Sequence, residues 1–399
     1  MKRRKMLATA TWAAACAAVL VFAGAAAAQE KIKVGVVAHF SGPFAASGKQ
    51  YRAGFEAFRA LHGTKAGGRE IELIFRDVGG TNPATAKRLA EELTVRDKVS
   101  ILTGFYLTPD AFAAASVITE TKTPTVVLTA ASPPILRQSP YFVRVASSIW
   151  QTSTVPADWG IKLNKKTAYI AVSDYAPGHD AQAAFKQRYT QLGGTIVGED
   201  RMPLNTVDYA PVIERIANAK PDMVHVNMPN GAPATAFLRA LGARDLIKRG
   251  MVFVGVGEAD DPDLPALGEA ALGYHSSLYY AASLDNEENK KFRAKIAELL
   301  GPNEPANFAM AAAYDGMRIV YRMVEAQKGD KFDPEAALAA AKGFAWNSPR
   351  GPVSIDPETR NIIQNVYIRK VESKDGKLFN AVVDTFPAVK DPWEILNKK

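Results

Sequence analysis

Cysteine is almost absent: the 399-residue chain has one, Cys16. It lies in a charge-free N-terminal stretch, so the rest of the chain cannot form a disulfide, a zinc–thiolate centre or a cysteine nucleophile. The five histidines, His39, His62, His179, His225 and His275, are never i,i+3 or i,i+4 neighbours, which excludes a helical metal pair. No Walker A sequence, H-E-x-x-H motif or G-x-S-x-G elbow occurs. Gly255-Val256-Gly257 begins like a dinucleotide fingerprint, but Asp260 stands where the third glycine belongs, and Pro262 and Pro265 interrupt the helix that should follow. Asp260, Asp261 and Asp263 lack the spacing and terminal Glu of a calcium loop and read as a solvated acidic loop. No cofactor and no metal are therefore expected, and no acid/base pair or nucleophile is assembled beyond scattered Asp174, Glu258 and His39. Beyond the N-terminus, no stretch approaches the ~20 apolar residues of a membrane helix.

The N-terminus has a pattern of its own. Lys2, Arg3, Arg4 and Lys5 precede a segment without charge from Leu7 to Ala28, which ends in Ala26-Ala27-Ala28 before Gln29. This is a secretory signal peptide over residues 1–28. Arg3-Arg4 opens a twin-arginine signature, but the rest of that motif is poor and ordinary secretion is the simpler expectation. A lipid anchor at Cys16 is disfavoured by Ala13, where an aliphatic residue belongs. Removing the segment lowers the formal charge from +8 to +4. That balance is too mild to point to nucleic acid. A soluble periplasmic monomer is expected.

The remaining 371 residues, in a chain that is 47% hydrophobic and 23% charged, suffice for two lobes. Short Val- and Ile-rich runs alternate with helical patterns. Runs begin at Val34, Ile71, Val99 and Thr125, then, after a pause over residues 141–150, at Ala168, Ile196, Met223 and Met251. Being apolar on both faces, they read as parallel strands between helix layers. Asn82-Pro83 supplies a cap and first-turn proline for a helix with Ala86, Leu89, Ala90 and Leu93 on one face. Two longer helices are predicted over Asn286 to Leu300 and Asn307 to Gln327. In the second, Met310, Ala313, Tyr314, Met317, Tyr321 and Val324 form a core stripe. Strands return at Val353, Val366 and Leu378. The pattern predicts an α/β fold of two similar lobes, with later segments completing them.

In such sheets ligands bind beyond the carboxyl ends of the strands. The loops there are rich in aromatics and small polar residues: His39 to Phe44, Gly104 to Thr108, Thr129 to Ser132, Ser173 to Gly178, Asn227 to Gly231 and Gly257 to Asp260. Drawn from both halves, they describe a cleft between lobes.

The chain resembles the periplasmic solute-binding proteins of ABC transporters, in the type I, branched-chain amino acid-binding family. The resemblance is carried by Ile32 to Gly42 (IKVGVVAHFSG), Gly67 to Leu73 with Asp77, Pro124 to Ser132 (PTVVLTAAS), Tyr141 to Val145 (YFVRV) and Gly351 to Asp356 (GPVSID). It implies two Rossmann-like lobes joined by a three-strand hinge: residues 29–147 with 282–350, and 148–281 with 351–399. It implies a small carboxylate ligand, an amino acid or aromatic acid, passed to a membrane permease. Sensing without transport, or an enzyme on the same scaffold, are the alternatives. On the family's pattern, Thr108, Ala130 and Ser41 hold the carboxylate through hydroxyls and backbone N–H groups. Tyr175 covers the ligand, Asn227 lies on a facing second-lobe loop, and Glu258 receives an ammonium. Where branched-chain binders have a serine-rich loop, this chain has Phe105-Tyr106-Leu107. Phe40, Phe44, Tyr106, Trp150 and Tyr175 then suggest an aromatic slot, which favours an aromatic acid. The competing reading is that Phe40 and Phe105 pack under the loops.

N-terminal sequencing of secreted material should return Gln29 as the first residue, and recovery of membrane-bound protein lipidated at Cys16 would contradict this reading.

Overall fold

Two sheets organise the chain. The structure, a computed structural model, describes residues 31–80 and 82–396. The expected signal peptide over residues 1–28, with Cys16, lies outside the described residues. The first sheet has the order β2-β3-β1-β4-β5-β6. Its strands are β1 (Ile32–Ala38), β2 (Lys65–Ala66), β3 (Arg69–Asp77), β4 (Ile101–Gly104), β5 (Thr125–Val127) and β6 (Phe142–Arg144). All pairs are parallel except β2 with β3. Every residue of β4, β5 and β6 is buried, as continuous apolar runs between helix layers require.

The second sheet holds β7 (Thr167–Ser173), β8 (Thr195–Met202), β9 (Met223–Asn227), β10 (Val252–Gly255) and β11 (His275–Leu278), paired in parallel in the order β11-β10-β9-β7-β8. An antiparallel extension follows: β12 (Ala345–Ser348), β13 (Gly351–Ile355), β14 (Ile362–Lys374) and β15 (Lys377–Val389). The last two form a hairpin longer than the apolar runs suggested, because its outer half is built from polar residues such as Glu372, Lys374 and Lys377. Residues 345–348, read from sequence as part of the first lobe, pair in the second sheet. Trp346 nevertheless packs on the first-lobe core, so this strand bridges the two.

The helices follow their local signals. Asn82 caps Pro83–Glu91 by accepting from Ala84 N at 3.1 Å. Ser148 and Gln151 close a reciprocal capping box on the helix Ile149–Lys162. Asn307 caps Phe308–Glu325 by accepting from Met310 N at 2.9 Å. The whole predicted stripe of that helix is buried. It packs on the helix Ala45–His62 so closely that a Cβ at Gly54 would lie 2.2 Å from the Met310 carbonyl oxygen. His225, expected in the core, is fully buried and stacked on Phe185 at 4.5 Å. The acidic loop is not solvated, contrary to expectation: Asp260 and Asp261 are buried. Asp260 pairs with the buried Arg369 at 2.9 Å, and Asp261 accepts from Asn380 N at 3.0 Å.

The chain leaves the first sheet after Arg144, leaves the second after Leu278 for helices packed on the first-lobe core, and returns to the second sheet at Ala345. One guanidinium binds these passages together. Arg350, fully buried, donates from Nε to Asp315 Oδ2 at 2.8 Å, from Nη1 to Gln364 Oε1 at 2.7 Å, and from Nη2 to the Val145 carbonyl. It also lies over the Tyr279 ring at 4.8 Å. Asp315 is completed by Trp346 Nε1 at 2.8 Å and Ser348 Oγ at 2.7 Å. Removing one member of a buried pair strands the other's charge and costs about 3–5 kcal/mol. Arg350→Met and Asp315→Leu should each destabilise the ligand-free protein by about that much in urea denaturation. The double variant should lose clearly less than the sum, and full additivity would mean that the pair is not coupled.

Candidate functional site: an uncharged cleft between the lobes

The carboxyl ends of β4, β5, β7, β9 and β10 converge on one cleft. Its first-lobe wall is Tyr106, Leu107, Thr108, Thr129 and Ala131, and its second-lobe wall is Tyr175, Pro177, Asn227, Met228 and Gly257. Tyr279 and Phe308 close the base. No lining residue is charged. Three helices begin at or beside lining residues, at Thr108, Ile149 and Ala176, and the first turn of the second is partly satisfied by Ile149 N on Ala131 O and Gln151 N on Ser148 Oγ. The first-turn N–H groups of a helix lack partners within it and attract negative charge.

Backbone geometry delivers the first-lobe wall. Gly104 and Phe105 both have positive φ, 115° and 62°. A Cβ at residue 104 would lie 2.1 Å from Val37 O, so only glycine fits there. Phe105 is a bulky residue in the left-handed region, held by Phe105 N donating to Val37 O at 2.8 Å and by burial of its ring. This turn tucks Phe105 into the core and sends Tyr106 to the cleft.

The hydroxyl donors follow from their partners. Thr108 Oγ1 accepts from Ser132 N at 3.3 Å, which leaves its O–H to donate elsewhere. Thr129 Oγ1 is hydrogen-bonded to the buried Tyr51 hydroxyl. Asp110, in the first turn of the Thr108 helix, does not line the cleft and is hydrogen-bonded to His39 Nε2 at 2.9 Å. Burial pushes the hydroxyls of Tyr106, Tyr175 and Tyr279 well above the usual phenol range, so all three remain neutral O–H donors.

The structure sorts the residues proposed from sequence. Tyr106, Thr108, Tyr175 and Asn227 line the cleft together. Ala130 does not: its N–H donates to Phe105 O at 3.0 Å, and the neighbouring Thr129 and Ala131 take the lining positions. Ser41 is exposed beside Asp77, with its N–H on Asp77 Oδ1 at 3.3 Å, outside the cleft. Phe44 stands behind Tyr106 at a ring distance of 5.8 Å, in a smaller adjoining recess. Trp150 is buried in the second-lobe core. Phe40 packs on Phe75 and beneath Arg52. The slot is therefore built from Tyr106 and Tyr175 with Tyr279 and Phe308. Sequence reasoning missed the last two, which follow the end of the strand–helix alternation.

Glu258 departs most from expectation. It is 1% exposed and turned inward. Its carboxyl accepts from Val256 N at 2.7 Å, Gly257 N at 3.0 Å and Met228 N at 3.0 Å, with the Tyr274 hydroxyl at 3.4 Å. It ties two cleft loops together and offers nothing to an ammonium. Asn230 adds a second tie, donating from Nδ2 to Gly257 O.

Two α/β lobes, crossed three times by the chain and holding an uncharged cleft between them, define a type I solute receptor. The family model described as periplasmic binding protein matches residues 31–377, and the chain belongs to that family. A Leu/Ile/Val-binding protein homolog of Brucella melitensis is 42% identical over 377 residues, covering 94% of this chain and 96% of its own. Among solved structures, an ABC-transporter solute-binding protein of Rhodopseudomonas palustris HaA2, in complex with p-hydroxybenzoic acid, is 44% identical. It covers 93% of this chain and all of its own, with a TM-score of 0.89. A counterpart from strain BisB5, in complex with 3,4-dihydroxybenzoic acid, is 40% identical, with 91% and 99% coverage and a TM-score of 0.86. This chain is a solute-binding protein of the ABC-transporter type, and the family's location is extracytoplasmic. Among the described residues no helix is long and apolar enough to cross a membrane.

Burial pushes the Glu258 carboxyl up to about 7, against the downward pull of the backbone N–H groups. A carboxyl raised above its ordinary ~4.3 keeps its proton in the folded chain after the unfolded chain has lost it. Stability then falls as pH rises through the window from about 4.5 to about 7. Urea denaturation across this window should show a steeper decline for wild type than for Glu258→Gln, which cannot titrate. Parallel curves would mean that Glu258 is ionised throughout.

Proposed function

We propose that this protein is the periplasmic receptor of an ABC importer, that it binds an aromatic carboxylate without chemical change, and that it acts as a monomer. The lobes close on the ligand, and the closed form delivers it to a membrane permease. The observation that carries this reading is the absence of charge from an aromatic-walled cleft at which the helices Thr108–Glu120 and Ala176–Gln191 begin. A carboxylate is stabilised there by neutral donors. Each charge-assisted hydrogen bond contributes about 1.5–3 kcal/mol, and each helix terminus about 0.3–1 kcal/mol. Two or three such bonds, with a flat ring buried between Tyr106, Tyr175, Tyr279 and Phe308, reach the roughly −8 kcal/mol of a micromolar complex.

The amino acid reading, which the name of the Brucella relative favours, needs an acid facing the ammonium. Glu258 is committed to backbone N–H groups, and no other acid lines the cleft. Burying an ammonium without a partner is costly. The hydroxybenzoates bound to the two Rhodopseudomonas proteins need no such acid.

Calorimetry should find micromolar or tighter binding of 4-hydroxybenzoate and no measurable binding of leucine. Thr108→Val and Tyr175→Ala should each weaken the complex about 10- to 100-fold, the loss of one charge-assisted bond or one aromatic wall. Small-angle scattering should show compaction at saturating ligand. Tight leucine binding, or an unchanged scattering profile, would overturn the corresponding part of the proposal.

A further inference from the structure

A small recess adjoins the cleft. Its walls include Phe44, Ser47 and Gln50 of the first lobe and Asp260 and Asp263 of the second. Tyr106, Asn230 and Phe308 belong to the walls of both cavities. The recess therefore holds the acids that the cleft lacks. Asp260 is paired with Arg369 at 2.9 Å. The Asp263 side chain has neither a hydrogen bond nor an ion pair among the described residues, and burial pushes its carboxyl up to about 6 with no opposing cation.

Both acids lie near the Tyr106 ring. Burial, with the charges of Asp263 and Asp260 added, raises the Tyr106 hydroxyl above the usual phenol range. The ring rests against Phe44 at 5.8 Å and stands edge-on to His39 at 6.2 Å, and the left-handed turn at Gly104-Phe105 fixes the backbone before it. Its place bears on either charge that a solute brings. An ammonium in the cleft gives up water and meets no acid there, which is costly unless a carboxylate pairs with it. Asp263 is unpaired, but it lines the recess and not the cleft. A carboxylate in the cleft is repelled by the same two acids, and the repulsion weakens with the separation that the ring imposes.

We infer that Tyr106 is a specificity-determining residue: its ring partitions the cleft from the acidic recess and so excludes solutes that carry an ammonium opposite their carboxylate. This rests on the aromatic-acid reading above and adds what keeps amines out. Opening the partition should turn Asp263 from a screened acid into an ammonium partner.

The test is a calorimetric titration of two ligands of like shape, 4-(aminomethyl)benzoate and 4-(hydroxymethyl)benzoate. 4-Hydroxybenzoate serves as the reference, and thermal unfolding of each ligand-free variant checks folding. Wild type should favour the hydroxymethyl compound by about tenfold or more. Tyr106→Ala should move that ratio toward the ammonium compound by about tenfold or more, and adding Asp263→Asn to it should restore the wild-type ratio. Asp263→Asn alone should leave the ratio within about twofold of wild type. If Tyr106→Ala does not fold, Tyr106→Leu carries the same comparison. An unmoved ratio in the folded variant, loss of both compounds from it, or a shift that survives Asp263→Asn would overturn the inference. So would a ratio changed by Asp263→Asn alone, because the acid would then already reach the cleft. A wild type that binds 4-hydroxybenzoate but does not favour the hydroxymethyl compound would also overturn it, while the aromatic-acid reading would stand. A wild type that binds none of the three would sink both.

Discussion

A single buried guanidinium fixes the relation between the halves of this molecule. Arg350 lies where the chain passes between lobes and holds Val145 on one passage, Tyr279 on another and Asp315 of the first lobe, with Gln364 of the second lobe on its remaining arm. A connection made only of apolar contacts would allow many near-equivalent packings. Five directional donors allow few, because each displaced donor becomes a buried cost. The same residue underlies Tyr279, so the base of the cleft is set by the junction itself. Arg144, at the end of β6, repeats the device, donating to Asn361 Oδ1 and the Ser132 carbonyl, both at 2.8 Å.

The electrostatics of the cleft result from where charge has been hidden. Glu258 and Asp110 both lie beside the cleft, and each is paired inward, Glu258 to backbone N–H groups and Asp110 to His39. What faces the cleft is the positive end of helices, neutral hydroxyls and aromatic rings. Such a surface is suited to an anion without a fixed cation.

Much of this was legible in the sequence. Buried parallel strands announce themselves as apolar runs, and Asn82-Pro83, Asn286 and Asn307 mark helix starts by chemistry that depends on near neighbours alone. The cleft was legible as a set of loops, because its position follows from sheet topology. Side-chain direction was not. Glu258 and Ala130 stand on the right loops and face the wrong way, since their orientation depends on hydrogen bonds to Met228 and Phe105, which are distant in sequence. Phe308 escaped because it sits at a helix start where no strand-end rule points, and Tyr279 because β11 (His275–Leu278), whose carboxyl end it follows, is too polar to stand out as an apolar run. The burial of Asp260 depends on Arg369, more than a hundred residues later.

The left-handed turn at Gly104-Phe105 separates two tasks that most pockets combine. The backbone aims residue 106, while the neighbouring Thr108 takes its position from the start of a helix and its bond to Ser132. Exchanging the side chain at 106 alters the room in the cleft and leaves Thr108 and its bond to Ser132 in place. A lineage carrying this turn can therefore vary the shape of its cleft by single substitutions at one position, without disturbing the start of the neighbouring helix.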